Sequence, residues 1–265
     1  MDLGLGDARV IVTGGASNIG RGVVHAFARE GARIVIADVD AAQATRVAAE
    51  ATALGAGDVA TAVGDLTQEG SAETAVARSV DAWGGVDVLV NNAGWSVPGF
   101  VAKDRDRARW QRTVEVNFFT AVAMTQAVLE PMRGNGGGSI VFMASEAAFG
   151  QIRQGIYGAT KAAVVAFART TAREHGRHGI RSNVVCPGLV VPAGPEAVGA
   201  SSLWAVGEDA VFDDKQRAYL LKDTPTQRLT TADDVAGAVL WFASPVAAGQ
   251  VTGQLVSVSG GYTMP

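Results

Sequence analysis

Tyr157 and Lys161 stand four residues apart in YGATK, a spacing that puts both side chains on one face of a helix. A phenol is a poor base near neutral pH, with an ordinary pKa of ~10, but a neighbouring ammonium favours the phenolate and is expected to bring that value down. Tyr157 would then exchange a proton with an alcohol or carbonyl oxygen. Ser145 ends the apolar run SIVFMAS at 139–145, and a hydroxyl at the carboxyl end of a strand could donate to the same oxygen as charge develops on it. Taken singly, a Tyr/Lys pair at this spacing is also ordinary surface decoration, and a strand-end serine is also an ordinary cap. The three together are far more specific.

A second constellation lies near the start of the chain. TGGASNIG at 13–20 follows an apolar run and opens a helical pattern. Gly14 allows a sharp turn, and Gly20 lets the first helix sit close to the sheet or to a ligand. A helix starting here turns free N–H groups and the positive end of its dipole toward whatever lies above the strand, which makes a phosphate seat. A plain strand-to-helix turn needs the same glycines, so the context decides. Asp38 ends the second apolar run, ARIVIAD; its carboxylate can accept from both ribose hydroxyls and would repel a 2′-phosphate. Ala16, Ser17 and Val39 offer no arginine to such a phosphate. NAD, rather than NADP, is the expected cofactor.

These residues need a scaffold that brings them together. Seven β-branched runs (9–14, 32–40, 58–66, 86–94, 139–145, 180–188 and 254–261) are mostly continuous rather than alternating, as in strands covered on both faces. Helical patterns fill the gaps at 18–30, 41–54, 68–83, 105–130, 155–177 and 231–243. Such β/α alternation predicts an α/β, doubly wound Rossmann-type fold: a parallel seven-stranded sheet with helices on both faces, in one domain over 1–265. The segment 189–225 is irregular and carries Leu203, Trp204, Phe212 and Tyr219, so it reads as a substrate lid.

Composition narrows the function classes. In 265 residues, 48% hydrophobic, 22 basic and 26 acidic residues give a net charge of -4 and no general field for a polyanion, so nucleic acid is not an expected partner. No apolar stretch approaches the ~20 residues of a membrane span, and the N-terminus lacks a leader pattern. With Cys186 as the only cysteine, no intrachain disulfide can form, and a cytoplasmic location is expected. His25, His175 and His178 lie in polar stretches and are expected to be exposed; they form no ligand set, and no metal is expected.

TGGASNIG, NNAG at 91–94, Asn117, Ser145, YGATK and CPG at 186–188 together resemble the short-chain dehydrogenase/reductase family in its compact form, over essentially the whole chain. The family pattern is TGxxxGxG; here Asn18 replaces the middle glycine, and asparagine tolerates a left-handed backbone better than most residues. Its amide is also expected near the pyrophosphate. The resemblance implies a catalytic set of Asn117, Ser145, Tyr157 and Lys161, with Asn117 anchoring a water chain beyond the lysine. A polar residue satisfying a distorted helix is a compatible reading of Asn117. It further implies that Asp65 holds the adenine, beside Leu66, and that Ser17, Ile19, Asn91, Ala93, Gly94, Pro187, Gly188 and the Val190 backbone line the cofactor. A helix cap before Thr67 is an equal reading of Asp65. Two departures stand out. Val190-Val191-Pro192 supplies no hydroxyl where the family usually has a threonine contacting the carboxamide, and the last strand ends in SGG rather than the commoner DGG.

The activity implied is NAD-dependent interconversion of a secondary alcohol and a ketone. Trp95, Ile152 and Trp204, with Glu146 either binding a polar substituent or facing solvent, frame a roomy apolar pocket for a cyclic or aryl-alkyl substrate. REHGRHGI, NVVCPG and TGQLVSVSGGYTM are also similar to dehydrogenases of alicyclic hydroxyacyl-CoA thioesters. The long helices carry apolar residues on more than one face, including KAAVVAFA, and the family is commonly tetrameric, so a homotetramer is implied. A dinucleotide sensor without turnover would have no need of all three of Ser145, Tyr157 and Lys161. An epimerase or dehydratase would need an additional substrate domain.

Overall fold

The computed structural model describes residues 1–199, 202, 204, 218 and 221–265. Each of the seven apolar runs carries a strand: β1 (Arg9–Thr13), β2 (Arg33–Asp38), β3 (Asp58–Val63), β4 (Val88–Asn91), β5 (Gly138–Met143), β6 (Ile180–Pro187) and β7 (Leu255–Val258). They form one sheet of order β3-β2-β1-β4-β5-β6-β7 with every pairing parallel. The helices between them are α1 (Asn18–Arg29), α2 (Ala41–Ala53), α3 (Ser71–Trp83), α4 (Arg107–Val114), α5 (Thr120–Gly134), α6 (Gly155–His175) and α7 (Ala232–Ala243).

Successive strand residues point to opposite faces, so the two sides of β1 belong to different cores. Val10 and Val12 pack with Phe27 of α1, Val47 of α2 and Phe242 of α7. Ile11 packs on the other side with Val76 of α3, Met124 and Met132 of α5 and Ala168 of α6. Both faces are therefore covered, which accounts for strands that read as unbroken apolar runs. Chain order reverses across β1 and β4: β2 and β3 lie on one side, β4 to β7 on the other. A crevice opens above the carboxyl ends of strands at such a reversal; Asp38, Asn91 and Pro187 are the last residues of their strands, and Gly14 and Ser145 follow just beyond theirs.

Apolar periodicity predicts a single helix over 105–130, but the structure interrupts it. Between α4 and α5, Glu115–Phe119 form a turn of π-helix, a form that recurs at functional positions. The three histidines are partly buried rather than exposed, and His25 Nε2 lies 3.0 Å from Glu50 Oε2. No helix of the described residues is long and apolar enough to cross a membrane.

Candidate active site

A cavity of about 580 Å³ runs over the carboxyl edge of the sheet. One end is built from the β1–α1 turn and the tips of β2 and β3, the other from the tips of β4, β5 and β6 and one face of α6. Of the residues expected at a cofactor, Gly14, Ser17, Asn18, Ile19, Gly20, Asp38, Asp65, Leu66, Ala93, Gly94, Pro187 and Gly188 line it.

The β1–α1 turn is shaped by close approach. Gly14 adopts φ +60 with Ala93 Cα 3.0 Å from where a Cβ would sit, and a Cβ on Gly20 would collide with the Gly14 carbonyl. Asn18 takes the left-handed backbone expected of it, at φ 42. Ser17 occupies the N-cap of α1 without a side-chain capping bond, so the first-turn N–H groups face the cavity. Asn18's amide does not reach toward them: Nδ2 donates to the Val190 carbonyl at 3.2 Å. Val190 is itself buried and bridges to Thr230, and its carbonyl stands beside the cavity-lining Asn18.

Asn91 does not turn its side chain to the cavity. It is the last residue of β4, and its side chain points toward α5, with Nδ2 donating to Thr125 Oγ1 at 3.2 Å. Its neighbour Asn92 lines the cavity instead, and ties β4 to the glycine turn by donating from Nδ2 to the carbonyls of Thr13 (2.9 Å) and Gly14 (3.0 Å). The NN pair named the place, but strand alternation decides which asparagine faces the cleft.

At the Asp38 end, the carboxylate accepts from the backbone N–H of Ala16 and of Asp40, each at 3.0 Å. Burial outweighs these bonds and pushes the carboxyl above its ordinary value. Asp65 is no helix cap, since α3 begins at Ser71. It accepts from Thr67 N (3.0 Å) and Oγ1 (2.7 Å), and pairs with Arg112 at 3.2 Å. Burial opposes, but these partners hold Asp65 below the usual carboxylate range. Arg112, which sequence reasoning missed, also lines the cavity. The described part of the expected lid packs over this same end: the Glu196 carbonyl accepts from Gln43 Nε2 (3.1 Å) and from Arg46, and Gly199 N donates to Ser17 Oγ at 3.4 Å. Trp204 lines the cavity, while Leu203, Phe212 and Tyr219 lie outside the described residues.

At the other end, Ser145, Tyr157 and Lys161 line one wall. Ser145 caps a short 3-10 turn, Glu146–Phe149, its Oγ accepting from Ala147 N at 3.2 Å and sharing a hydrogen bond with Tyr157. Lys161 is buried; Nζ donates to the Met143 carbonyl at 2.9 Å and lies 5.6 Å from the Tyr157 ring centroid. Burial pushes the phenol up, opposed by the Ser145 bond, and holds the Lys161 ammonium down at about 8. The expected lowering of Tyr157 by its lysine is thus replaced by burial acting on both groups.

Asn117 sits in the π turn and is buried behind Lys161. The widened turn lets its amide donate to the Thr113 carbonyl (2.8 Å) and to the Trp95 carbonyl (2.6 Å), while Oδ1 accepts from Trp95 N at 3.2 Å. A side chain at position 94 would crowd this arrangement: a Cβ on Gly94 would lie 3.0 Å from Asn117 Oδ1 and 3.4 Å from Lys161 Nζ. Trp95 lines the cavity as expected. Two expected substrate contacts do not. Ile152 is 83% exposed and outside the cavity, and Glu146 is 2% exposed, turned away toward Ser257. The wall can therefore exchange a proton at Tyr157 and hold a developing oxyanion at Ser145.

The family model described as "Enoyl-(Acyl carrier protein) reductase" matches residues 14–263. The chain is 35% identical, over 99% of each sequence, to (2S)-[(R)-hydroxy(phenyl)methyl]succinyl-CoA dehydrogenase subunit BbsD of Thauera aromatica. It is 35% identical, over 96% of each, to sorbitol dehydrogenase of Cereibacter sphaeroides. A solved structure of 7 alpha-hydroxysteroid dehydrogenase complexed with NADH and 7-oxo glycochenodeoxycholic acid matches with a TM-score of 0.87 and 31% identity, over 98% of this chain and 96% of that one. With its fold, its glycine turn and its Ser145, Tyr157 and Lys161 on one wall, the chain belongs to the short-chain dehydrogenase/reductase family, whose dehydrogenases bind nicotinamide dinucleotides.

Proposed function

We propose that the protein is an NAD-dependent dehydrogenase that interconverts a secondary alcohol and a ketone. The observation that carries this reading is the pairing, in one cavity, of an acidic end at Asp38 with a proton-exchanging end at Ser145, Tyr157 and Lys161. The residues present fit the cofactor: the first turn of α1 offers free N–H groups to a pyrophosphate, and Asp38 presents a carboxylate to a ribose while disfavouring a 2′-phosphate. NAD, when bound, supplies the hydride acceptor.

In alcohol oxidation, Tyr157 takes the hydroxyl proton as the carbinol hydrogen leaves as hydride, and Ser145 donates to the oxygen while charge builds on it. Ketone reduction returns that proton from Tyr157. Lys161 stands beneath the Tyr157 ring on the same wall, and Asn117 fixes the Trp95 backbone and, beside Gly94, the space next to the lysine. A cyclic or aryl-alkyl substrate is supported by Trp95 and Trp204 in the lining, and by the phenyl and steroid groups in the names of two relatives. The likeness to a succinyl-CoA dehydrogenase favours a thioester as a second form of the same reading.

Exposed Phe119, Ile156 and Trp241, on the π turn, α6 and α7, support self-association as a homotetramer. The lone cysteine, buried in β6, suits a reducing cytoplasm. The test of the reaction is to mix the protein with NAD and a panel of secondary alcohols and hydroxyacyl-CoA thioesters, following NADH by absorbance. Turnover of one class is expected; tight NADH binding with silence across the panel would favour a sensor.

A further inference from the structure

Glu146 follows Ser145 directly, yet its carboxylate is buried and turned away from the cavity. A buried acid needs donors around it. Here they come from the end of the chain: the Ser257 hydroxyl donates to Glu146, the hydroxyls of Ser259 and Thr263 beside it favour the charged form, and burial nonetheless pushes the carboxyl above its ordinary value. Ser257 Oγ lies 3.4 Å from Oε1, Ser257 and Ser259 Oγ are 2.8 Å apart, and Thr263 N donates to Ser259 Oγ at 3.3 Å. One carboxylate thus gathers β7 and the C-terminal residues into a single knot.

The knot touches the reacting wall on both sides. Glu146 is the first residue of the 3-10 turn whose second residue, Ala147, donates its N–H to Ser145 Oγ. The opposite side of that turn is pressed against α6, where a Cβ on Gly158, next to Tyr157, would collide with the Ala147 carbonyl. Ser259 stands behind the cavity wall, 3.2 Å from where a Cβ on Gly188 would sit. The turn has no freedom on the α6 side, so its position is set by what holds Glu146 on the other.

We propose that Glu146 is a positioning residue for the reaction: by accepting from Ser257, which Ser259 and Thr263 tie into the end of the chain, it fixes the turn that aims Ser145 at the substrate oxygen. This rests on the reading of Ser145 and Tyr157 as the reacting pair. It also gives the SGG ending a physical reason, because a carboxylate at position 259 would face that of Glu146 in a buried cluster, and two carboxylates sharing a site cannot both ionise freely.

The test is a double-mutant cycle of Ser259→Asp and Glu146→Gln, with kcat and KM for both substrates, NADH binding by fluorescence, and Tyr157→Phe measured alongside. Ser259→Asp is expected to lower kcat about tenfold or more at neutral pH, and Glu146→Gln in the same chain to restore it to within about threefold of Glu146→Gln alone. NADH affinity stays within about twofold throughout, as it would not if the knot served only global stability. Undiminished kcat in Ser259→Asp, or no restoration in the double variant, overturns the proposal. Should Ser259→Asp not fold, Glu146→Ala decides: kcat lowered about tenfold with NADH affinity kept supports positioning, and unchanged kcat overturns it. If Tyr157→Phe turns over like the wild type, the reaction mechanism itself has failed; if it is silent while the cycle shows no coupling, only the role of Glu146 falls.

Discussion

At the Asp38 end of the cavity, the groups offered to a ligand are mostly backbone: the first-turn N–H groups of α1 and the close-packed glycine turn, with Asp38 held in place by the N–H groups of Ala16 and Asp40. At the Ser145 end they are side chains, partly or wholly withdrawn from water; Lys161 is held by the Met143 carbonyl and Asn117 by those of Thr113 and Trp95. The difference separates binding from chemistry. Backbone donors hold a ligand without changing their own charge, whereas a group that must gain and lose a proton has to be a side chain whose burial sets when it does so.

The comparison breaks most visibly at Tyr157. Tyr157→Phe removes the proton acceptor and leaves the Asp38 end untouched, so kcat should fall by about 10²- to 10⁴-fold while NADH binding by fluorescence stays within about twofold. The pH profile is the next largest effect. Burial pushes the phenol up and holds Lys161 near 8, so both protons are released in the alkaline range. Alcohol oxidation needs the phenol free of its proton and should rise with pH by up to about tenfold per unit until the pair has titrated; ketone reduction needs the proton in place and should fall over the same range. A flat profile in both directions from acid to alkaline pH would remove Tyr157 from the proton path.

Asp38→Ala tests the other end. Loss of a charged acceptor for the ribose is worth ~1.5–3 kcal/mol, so kcat/KM for NAD should drop about 10- to 100-fold while the rate with NADP holds or rises. Wild-type preference for NADP would reverse the assignment of that carboxylate. The smallest change is expected from Asn18→Gly. Glycine accepts the left-handed backbone at φ 42, but the bond to the Val190 carbonyl is lost, so thermal unfolding should register a loss of no more than ~1 kcal/mol and KM for NAD a change of only a few fold.

Much of this was legible in the sequence because it rests on local pattern. The unbroken apolar runs gave the strands, and the glycine turn, Asp38, Ser145, Tyr157 and Lys161 each stand at a strand tip or on a helix face that spacing alone defines. What escaped depends on partners far along the chain or on geometry that periodicity does not record. The π turn at Glu115–Phe119 widens a helix without breaking its apolar stripe. Glu146 reads as a surface or substrate group because acids are seldom buried, and its partners lie beyond position 256. Asn91 and Asn92 differ by a single step of strand alternation, which reverses the face each presents. The Val190 carbonyl accepts from the Asn18 amide, a partner 172 positions away in the chain that no local pattern records. The lowered phenol expected from a Tyr/Lys pair ignored that burial disfavours the charged form of both.

The most direct measurement is NADH formation from NAD and a panel of secondary alcohols by the wild type and by Tyr157→Phe, each with its NADH affinity determined on the same preparation. The wild type should turn over at least one alcohol and reduce the matching ketone, and the variant should bind NADH equally well without turning over. Turnover by Tyr157→Phe at the wild-type rate would contradict the claim that side chains at the Ser145 end carry the chemistry.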